Sequence, residues 1–285
     1  MNLDLCTDLL MRGILRQVDP QAKGAFIEIG LGSLNYSFTW AAPAGFHCHA
    51  IEPLPTDTLL NASQNLNVPV TVAAIAERRG QATMYFGNLE GRGYPDVSSL
   101  NPRWWGSGKQ ERTVPTLSLA DFLDDKHIDA LSCLKVDIEG CELVVLQTIP
   151  ELPVPRQPKL VVFEYGGGCS KKEGRQGWSQ EFFSNTLACL KILQAAGYTR
   201  GFFIEAILPA PELIELKRGG DFEQIFPDGA LAGNFLFWRD PLPEKFLAGL
   251  ARKTTGQLVR QSRRDRLTGF AQRLVNGLRR RLRKS

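Results

Sequence analysis

Two groups of acids and glycines have the spacing to do chemistry. In FIEIGLGSLNY at 26–36, an apolar run containing Glu28 breaks into a loop with Gly30, Gly32 and Asn35, and AIEP at 50–53 then sets Glu52 at the end of a second apolar run. In KVDIEGCE at 135–142, Asp137, Glu139 and Glu142 fall within six positions, and FEYGGG at 163–168 follows with Glu164 and three glycines. Glycines let a backbone approach a ligand closely and take positive φ. An acid about 20 residues beyond such a loop is placed to accept hydrogen bonds from ribose hydroxyls. Carboxylates gathered at strand ends suit proton transfer or a divalent cation.

The first group has two readings. A dinucleotide fingerprint wants a third glycine where Asn35 stands, and Glu28 just before the loop would repel a pyrophosphate. A cationic nucleoside with an α-amino group, such as S-adenosylmethionine, offers a ribose to Glu52 and an ammonium to the Glu28 side of the loop. An ordinary tight turn in an α/β domain is the plain alternative. In the second group, Glu142 in the first turn of a helix is explained by the helix dipole, which leaves Asp137 and Glu139 unexplained.

These residues need strands to carry them. Strand-like runs alternate with helical ones: 26–29, 50–52, VPVTVAAIA at 68–76, ATMYF at 82–86, the run ending at Leu134 and Val136, KLVVFEYGGG at 159–168, GFFIEAI at 201–207 and GNFLFWR at 233–239. SLADFL at 118–123 opens like a capped helix, Leu143, Leu146 and Ile149 form a helical stripe, and 181–198 reads as an amphipathic helix ended by Gly197. Open α/β sheets bind ligands at the carboxyl ends of their strands, where Glu28, Glu52, Asp137 and Glu164 all fall. Residues 87–111 are rich in Gly, Pro and Ser around Trp104 and Trp105, which reads equally as a substrate wall or lid and as cover for a core edge. His47 and His49 share one strand face, with no third metal ligand at a recognisable spacing, and read as ordinary strand positions; His127 reads as solvated.

Composition narrows the class. The 285 residues are 43% hydrophobic, enough for a large core, and the six scattered cysteines read as reduced thiols of a cytoplasmic protein. No apolar run reaches 18 residues, and the N-terminal stretch lacks the basic start of a signal peptide. Residues 252–285 hold twelve Lys or Arg against Asp265 alone, so a basic tail follows a body with more acids than bases.

The ordered segments FIEIGLGSLNYSF, HAIEPLP, VTVAAIAERRGQATMYF, VSSL, VPTLSLADFL, LKVDIEGCELVVLQ and KLVVFEY closely resemble the FkbM-type S-adenosylmethionine-dependent methyltransferases. The resemblance covers about 24–165 well and 166–240 loosely, and KVDIEGCELVVL is its most specific element. It implies a Rossmann-like class I α/β fold: a mostly parallel seven-stranded sheet flanked by helices, its last strand antiparallel. It also implies that Glu28, Gly30, Gly32 and Asn35 form the cofactor loop, that Glu52 is the ribose acid, that Ala74 completes the cofactor side, and that Asp137 faces the methionine moiety or substrate. Asp137, Glu139 and Glu164 are then the catalytic carboxylates, as a base or as ligands of a divalent metal, and the acceptor is a hydroxyl on a sugar, glycan or related small molecule. The family's first motif is usually D-[VI]-G-A-N-x-G, and Leu31-Gly32-Ser33 departs from it. The rival readings are an NAD-dependent oxidoreductase or epimerase, disfavoured by Asn35 and the acids at 137–142, and a non-catalytic nucleoside-binding protein.

Pro241 and Pro243 end the methyltransferase domain, so the organisation expected is 1–243 followed by a tail at 244–285. Leu267, Phe270, Leu274, Leu278 and Leu282 recur at helical spacing among arginines, which predicts an amphipathic helix with a cationic face. Such a helix suits peripheral contact with an anionic membrane. Nucleic acid is not expected, since Phe270 is the tail's sole aromatic and offers no stacking platform.

Overall fold

The structure is a computed structural model that describes residues 1–33, 35–89, 91–166 and 180–262. In chain order, α1 (Leu3–Val18) precedes β1 (Ala25–Ile29), α2 (Phe38–Ala41), β2 (His47–Ile51), α3 (Asp57–Leu66) and β3 (Val70–Thr71). Next come β4 (Ala74–Ile75), β5 (Gly80–Leu89), β6 (Arg92–Gly93) and β7 (Ser107–Leu117). The chain returns through α4 (Leu119–Asp125), β8 (Leu131–Val136), α5 (Glu142–Leu146), β9 (Leu160–Gly166), α6 (Gln180–Ala195), β10 (Arg200–Glu205), β11 (Glu212–Glu215) and β12 (Ala232–Trp238). The last described element is a helix, α7, over 244–262.

The main sheet is eight-stranded and mixed, in the order β11-β10-β12-β9-β8-β1-β2-β3, rather than the expected seven. Five contiguous strands, β9-β8-β1-β2-β3, run parallel, and β12 enters antiparallel between β9 and β10. The additional strand, β11, pairs with β10 at one edge; its four residues are too short and too exposed to announce themselves by alternation.

The strand expected at 68–76 is divided. Val70–Thr71 joins the main sheet, whereas Ala74–Ile75 crosses to a second, four-stranded sheet of order β4-β7-β5-β6. That second sheet also takes the short strand expected at 82–86, lengthened to Gly80–Leu89, and much of the segment expected to be loop. Ser107–Leu117 pairs antiparallel with β5, a ladder that polar residues such as Lys109, Gln110, Glu111 and Arg112 form only because β5 is there to receive them. The capped helix is as read: Ser118 and Asp121 close a reciprocal capping box at the start of α4.

Alternate residues of the central strands serve opposite cores, the signature of a sheet covered on both faces. Leu134, Val136, Val161 and Phe163 face α4, α5 and α6, while Cys133, Leu160 and Val162 face α1, α2 and α3. The helix α1, not read from sequence, places Cys6, Leu10, Met11, Ile14, Leu15 and Val18 in the second core, and the Asn2 side chain caps it by accepting from Leu5 N at 3.0 Å. The helix α7 packs on the same core through Leu247, Leu250 and Leu258, with Thr254 buried. The stripe from Leu267 to Leu282 lies outside the described residues.

Candidate active site

Parallel strands β9, β8, β1 and β2 end side by side, and their carboxyl ends open into a cavity of about 370 Å³. Gly30, Gly32, Asn35, Glu52, Ala74, Asp137, Glu139 and Glu164 all line it. Glu28 does not.

The glycine loop is bent by left-handed backbone at Gly30, φ +75°, Gly32, φ +54°, and Asn35, φ +62°. A Cβ on Gly30 would lie 1.7 Å from the Asp137 carbonyl oxygen, so Gly30 is bare because the end of β8 presses against it. Gly32 faces Asp96 in the same way, at 3.1 Å. Asn35 donates from Nδ2 to Asp4 at 2.6 Å, which ties the loop to α1.

The two acids beside this loop have separate jobs. Glu52 receives backbone N–H groups on both oxygens, from Leu31 at 2.9 Å and Leu54 at 2.8 Å, and keeps lone pairs directed into the cavity it lines. Burial pushes its carboxyl up, and the bonds from Leu31, Leu54 and Gly32 hold it back. Glu28 is 1% exposed and lies beneath the loop. Its carboxylate accepts from Ser37 N and Phe38 N at the start of α2 and pairs with Lys135 Nζ at 2.7 Å. It is therefore occupied, and the expected place for a ligand ammonium beside it is filled by lysine.

Asp137, Glu139 and Glu164 each bring an oxygen within 4.8 Å of the others, on the side of the cavity under β8 and β9. Glu164 stands in β9, while the turn that carries Asp137 and Glu139 is tight: Glu139 has φ +54° and Gly140 φ +88°. A Cβ on Gly140 would lie 2.5 Å from Trp104 and 2.8 Å from Phe182, so the glycine of the KVDIEG run makes room for two rings. Trp104 is buried and meets Phe182 edge-on at 4.9 Å; of the two readings for this tryptophan, it is the core cover. Glu142 accepts from Ile138 N and Gly140 N and closes the turn, as its place in the first helical turn suggests. Burial raises its carboxyl to about 7.

The charge balance of the acids is uneven. Burial raises Asp137, but the hydrogen bond with Glu164 and the nearby Lys135 ammonium restrain it. Glu164 is driven well above the ordinary carboxylate range by burial, then by Asp137 and Glu139. Glu139 is driven up likewise by burial and by Asp137 and Glu142, with Trp104 offsetting a little. Neighbouring carboxyls whose environments separate them in this way divide into a charged base and neutral partners. Three oxygens so close also form a hard-ligand set of the kind a divalent cation takes. A bare loop, an acid at the tip of the second strand and a cavity of this volume suit an adenosyl group on the other side.

The far wall was not legible from sequence. Tyr94–Leu100 forms it, with a turn of 3₁₀ helix at Pro95–Val97. It is fastened: Tyr94 N donates to Gly87 O at 2.8 Å, Gly87 N to Ser98 Oγ at 2.9 Å, and Ser99 Oγ to Glu139 O at 2.7 Å. Lys135 and Asp96 also line the cavity. Lys135 stands in the KVDIEG run and was open to reading, whereas Asp96 reaches Ser33 across 63 positions with no local signal.

The histidines take no part. His49 is buried against Phe122 of α4, ring centroids 5.8 Å apart, and burial lowers its imidazole to about 4, with His47 and Lys126 adding to the shift.

Among solved structures, the methyltransferase domain of bacterial CtHen1-CN overlaps 82% of this chain and 99% of its own, at 10% identity and a TM-score of 0.35. No curated protein matches. The sequence profile of the methyltransferase FkbM domain matches residues 24–199, from the strand before the glycine loop to the start of β10, and takes in nearly all of the cavity lining. The chain belongs to the FkbM methyltransferase domain family.

Proposed function

We propose that this protein transfers the methyl group of S-adenosylmethionine to a hydroxyl of a sugar, glycan or related small molecule. The observation that supports this most is a single cavity with Glu52 and the glycine loop on one side and Asp137, Glu139 and Glu164 on the other. S-adenosylmethionine, when bound, supplies an electrophilic methyl on a sulfonium. Glu52 orients the nucleoside by accepting from ribose hydroxyls while Leu31 and Leu54 hold its carboxylate still. Asp137, kept the more acidic by Lys135 and Glu164, would accept the proton of the acceptor hydroxyl as the O–C bond forms and the methyl's C–S bond breaks, its electron pair staying on the sulfur of the demethylated product. The fixed wall at Tyr94–Leu100 excludes water and holds the acceptor in line, where positioning gives much of the acceleration.

A second reading of the acid group is favoured by its 4.8 Å spacing: Asp137, Glu139 and Glu164 hold a divalent cation that polarises the acceptor oxygen. Calorimetry with S-adenosylmethionine, its demethylated product and NAD tests the cofactor. Transfer of a labelled methyl to a panel of sugars and polyols, with magnesium or with a chelator, tests the reaction. Binding of NAD and not of S-adenosylmethionine would sink the proposal, and cofactor binding without transfer would favour a binding protein. A chelator-sensitive rate would select the cation over the direct base.

The same reading places the protein in the cytoplasm, where Cys6, Cys48, Cys133, Cys141 and Cys189 remain free thiols, and against an anionic membrane through 252–285. Since α7 packs on the core, the informative truncation ends at Ser262. Full-length protein is expected to sediment with anionic liposomes at low salt and the truncated chain to stay in the supernatant. Equal behaviour of the two would remove the membrane role.

A further inference from the structure

Ser33 and Asp96 come from opposite sides of the cavity and meet. Ser33 Oγ donates to Asp96 Oδ2 at 2.5 Å. Ser33 belongs to the loop after β1, where this chain departs from its family's usual motif, and Asp96 belongs to the 3₁₀ turn of the second sheet's wall. A bare residue at 32 eases the approach: its φ is +54°, and a Cβ there would stand in tight contact, 3.1 Å from Asp96 Oδ1.

The turn that carries Asp96 is itself held rigidly. A Cβ on Gly87 would meet the Tyr94 carbonyl oxygen at 2.0 Å, and one on Gly106 would meet Val97 at 2.7 Å, so the turn is pressed flat against both strands of the hairpin. Behind it, Ser99 and Tyr85 exchange two backbone hydrogen bonds, at 2.9 and 3.1 Å. The glycine loop is held from β2 at its start, where Gly30 N donates to Ile51 O at 3.0 Å and Leu31 N to Glu52 at 2.9 Å, and is left-handed at Gly30 and Gly32. Asp96 therefore grips the loop at Ser33, one residue beyond the stretch that Glu52 holds.

We propose that Asp96 is a positioning residue for the cofactor loop: by holding Ser33 it extends to the end of the loop the restraint that Glu52 applies at its start, and so fixes the backbone that faces the adenosyl group. This rests on the cofactor assignment above. It adds that the second sheet, besides walling the acceptor side, sets the affinity of the cofactor side.

The test combines a ligand-free and a ligand-bound measurement on Ser33→Ala, Asp96→Ala, Asp96→Asn and the double Ala variant, each first checked for an unchanged melting curve. In ligand-free protein, hydrogen exchange of the peptide covering 30–33 is expected to quicken about tenfold in Asp96→Ala. In calorimetry, Asp96→Ala is expected to weaken S-adenosylmethionine about tenfold, the scale of one hydrogen bond to a charged group. Ser33→Ala should match it, and the double variant should be no worse than Asp96→Ala, because both remove one bond. Asp96→Asn keeps an acceptor oxygen and should recover most of the affinity. Unchanged exchange at 30–33 in Asp96→Ala overturns the proposal. So does a near-normal Ser33→Ala beside a weak Asp96→Ala, which would make Asp96 a direct cofactor contact. If the wild-type protein itself fails to bind S-adenosylmethionine, the cofactor assignment falls, and the exchange measurement still decides whether Asp96 orders the loop.

Discussion

Glu28 and Asp137 sit at the ends of adjacent parallel strands, yet they belong to different worlds. Glu28 is sealed under the glycine loop with Lys135 as counter-charge and two backbone donors at the start of α2. Asp137 lies on the cavity with Glu139 and Glu164 within 4.8 Å, and the cation that restrains it, Lys135, is already engaged by Glu28. An acid at a strand tip is thus no site in itself. What separates the two is how the surrounding groups meet the charge: Glu28 has an ion pair and two backbone donors, whereas Asp137 shares Lys135 and sits among carboxyls.

The sharpest way to break that contrast is Asp137→Asn. It is expected to lower turnover by about 10²–10⁴, the range for a general base, while relieving crowding among the acids and leaving the melting temperature equal or higher. Near-normal turnover with the true acceptor would return Asp137 to the framework. Glu28→Gln should do the reverse. Leaving Lys135 without its buried partner is expected to cost about 3–5 kcal/mol in chemical denaturation, and Lys135→Met added to it should recover part of the loss. Lost cofactor binding at undiminished stability would put Glu28 back in the site.

His49 extends the contrast to a buried base with no counter-charge. Its imidazole, lowered to about 4, refuses a proton that the unfolded chain accepts near 6.5. Its contribution is therefore complete above about pH 6.5 and is lost as the pH falls from there towards 4, by up to about 3 kcal/mol. Comparing wild type with His49→Leu at pH 7.5 and pH 4.5 checks this; an equal difference at both values would rule it out. The smallest effect is expected at Glu52, whose replacement by Ala should weaken cofactor binding by about 1–3 kcal/mol. Unchanged affinity would remove it from the nucleoside side.

Much of the glycine-loop side of the cavity was legible because strand, turn and acid are local in sequence. Gly30, Gly32, Asn35 and Glu52 lie within 23 residues of one another, and the parallel sheet brings Asp137 and Glu164 alongside by a rule that needs no further information. The exception is instructive. Glu28 looked available because the partner that silences it, Lys135, lies 107 positions away. The Tyr94–Leu100 wall was illegible for the same reason. Gly, Pro and Ser in 87–111 report turns, while the pairing of β5 with β7 is decided by polar residues that acquire strand geometry only from each other. β4 diverts at Val72–Ala73 for a reason no single-strand pattern carries: Ala74 and Ile75 find partners in Thr116 and Leu117.

The placement of α1 has a consequence for how the protein is made. Its apolar face rests on strands encoded some two hundred residues later: Phe202, Leu236 and Trp238 share its core, and Asn234 Nδ2 reaches Thr7 Oγ1 at 3.1 Å. At a synthesis rate of about 5–20 residues per second, that face waits roughly ten to forty seconds for its cover. During translation the part of the first helix that meets β10 and β12 stays uncovered on the nascent chain until those strands emerge.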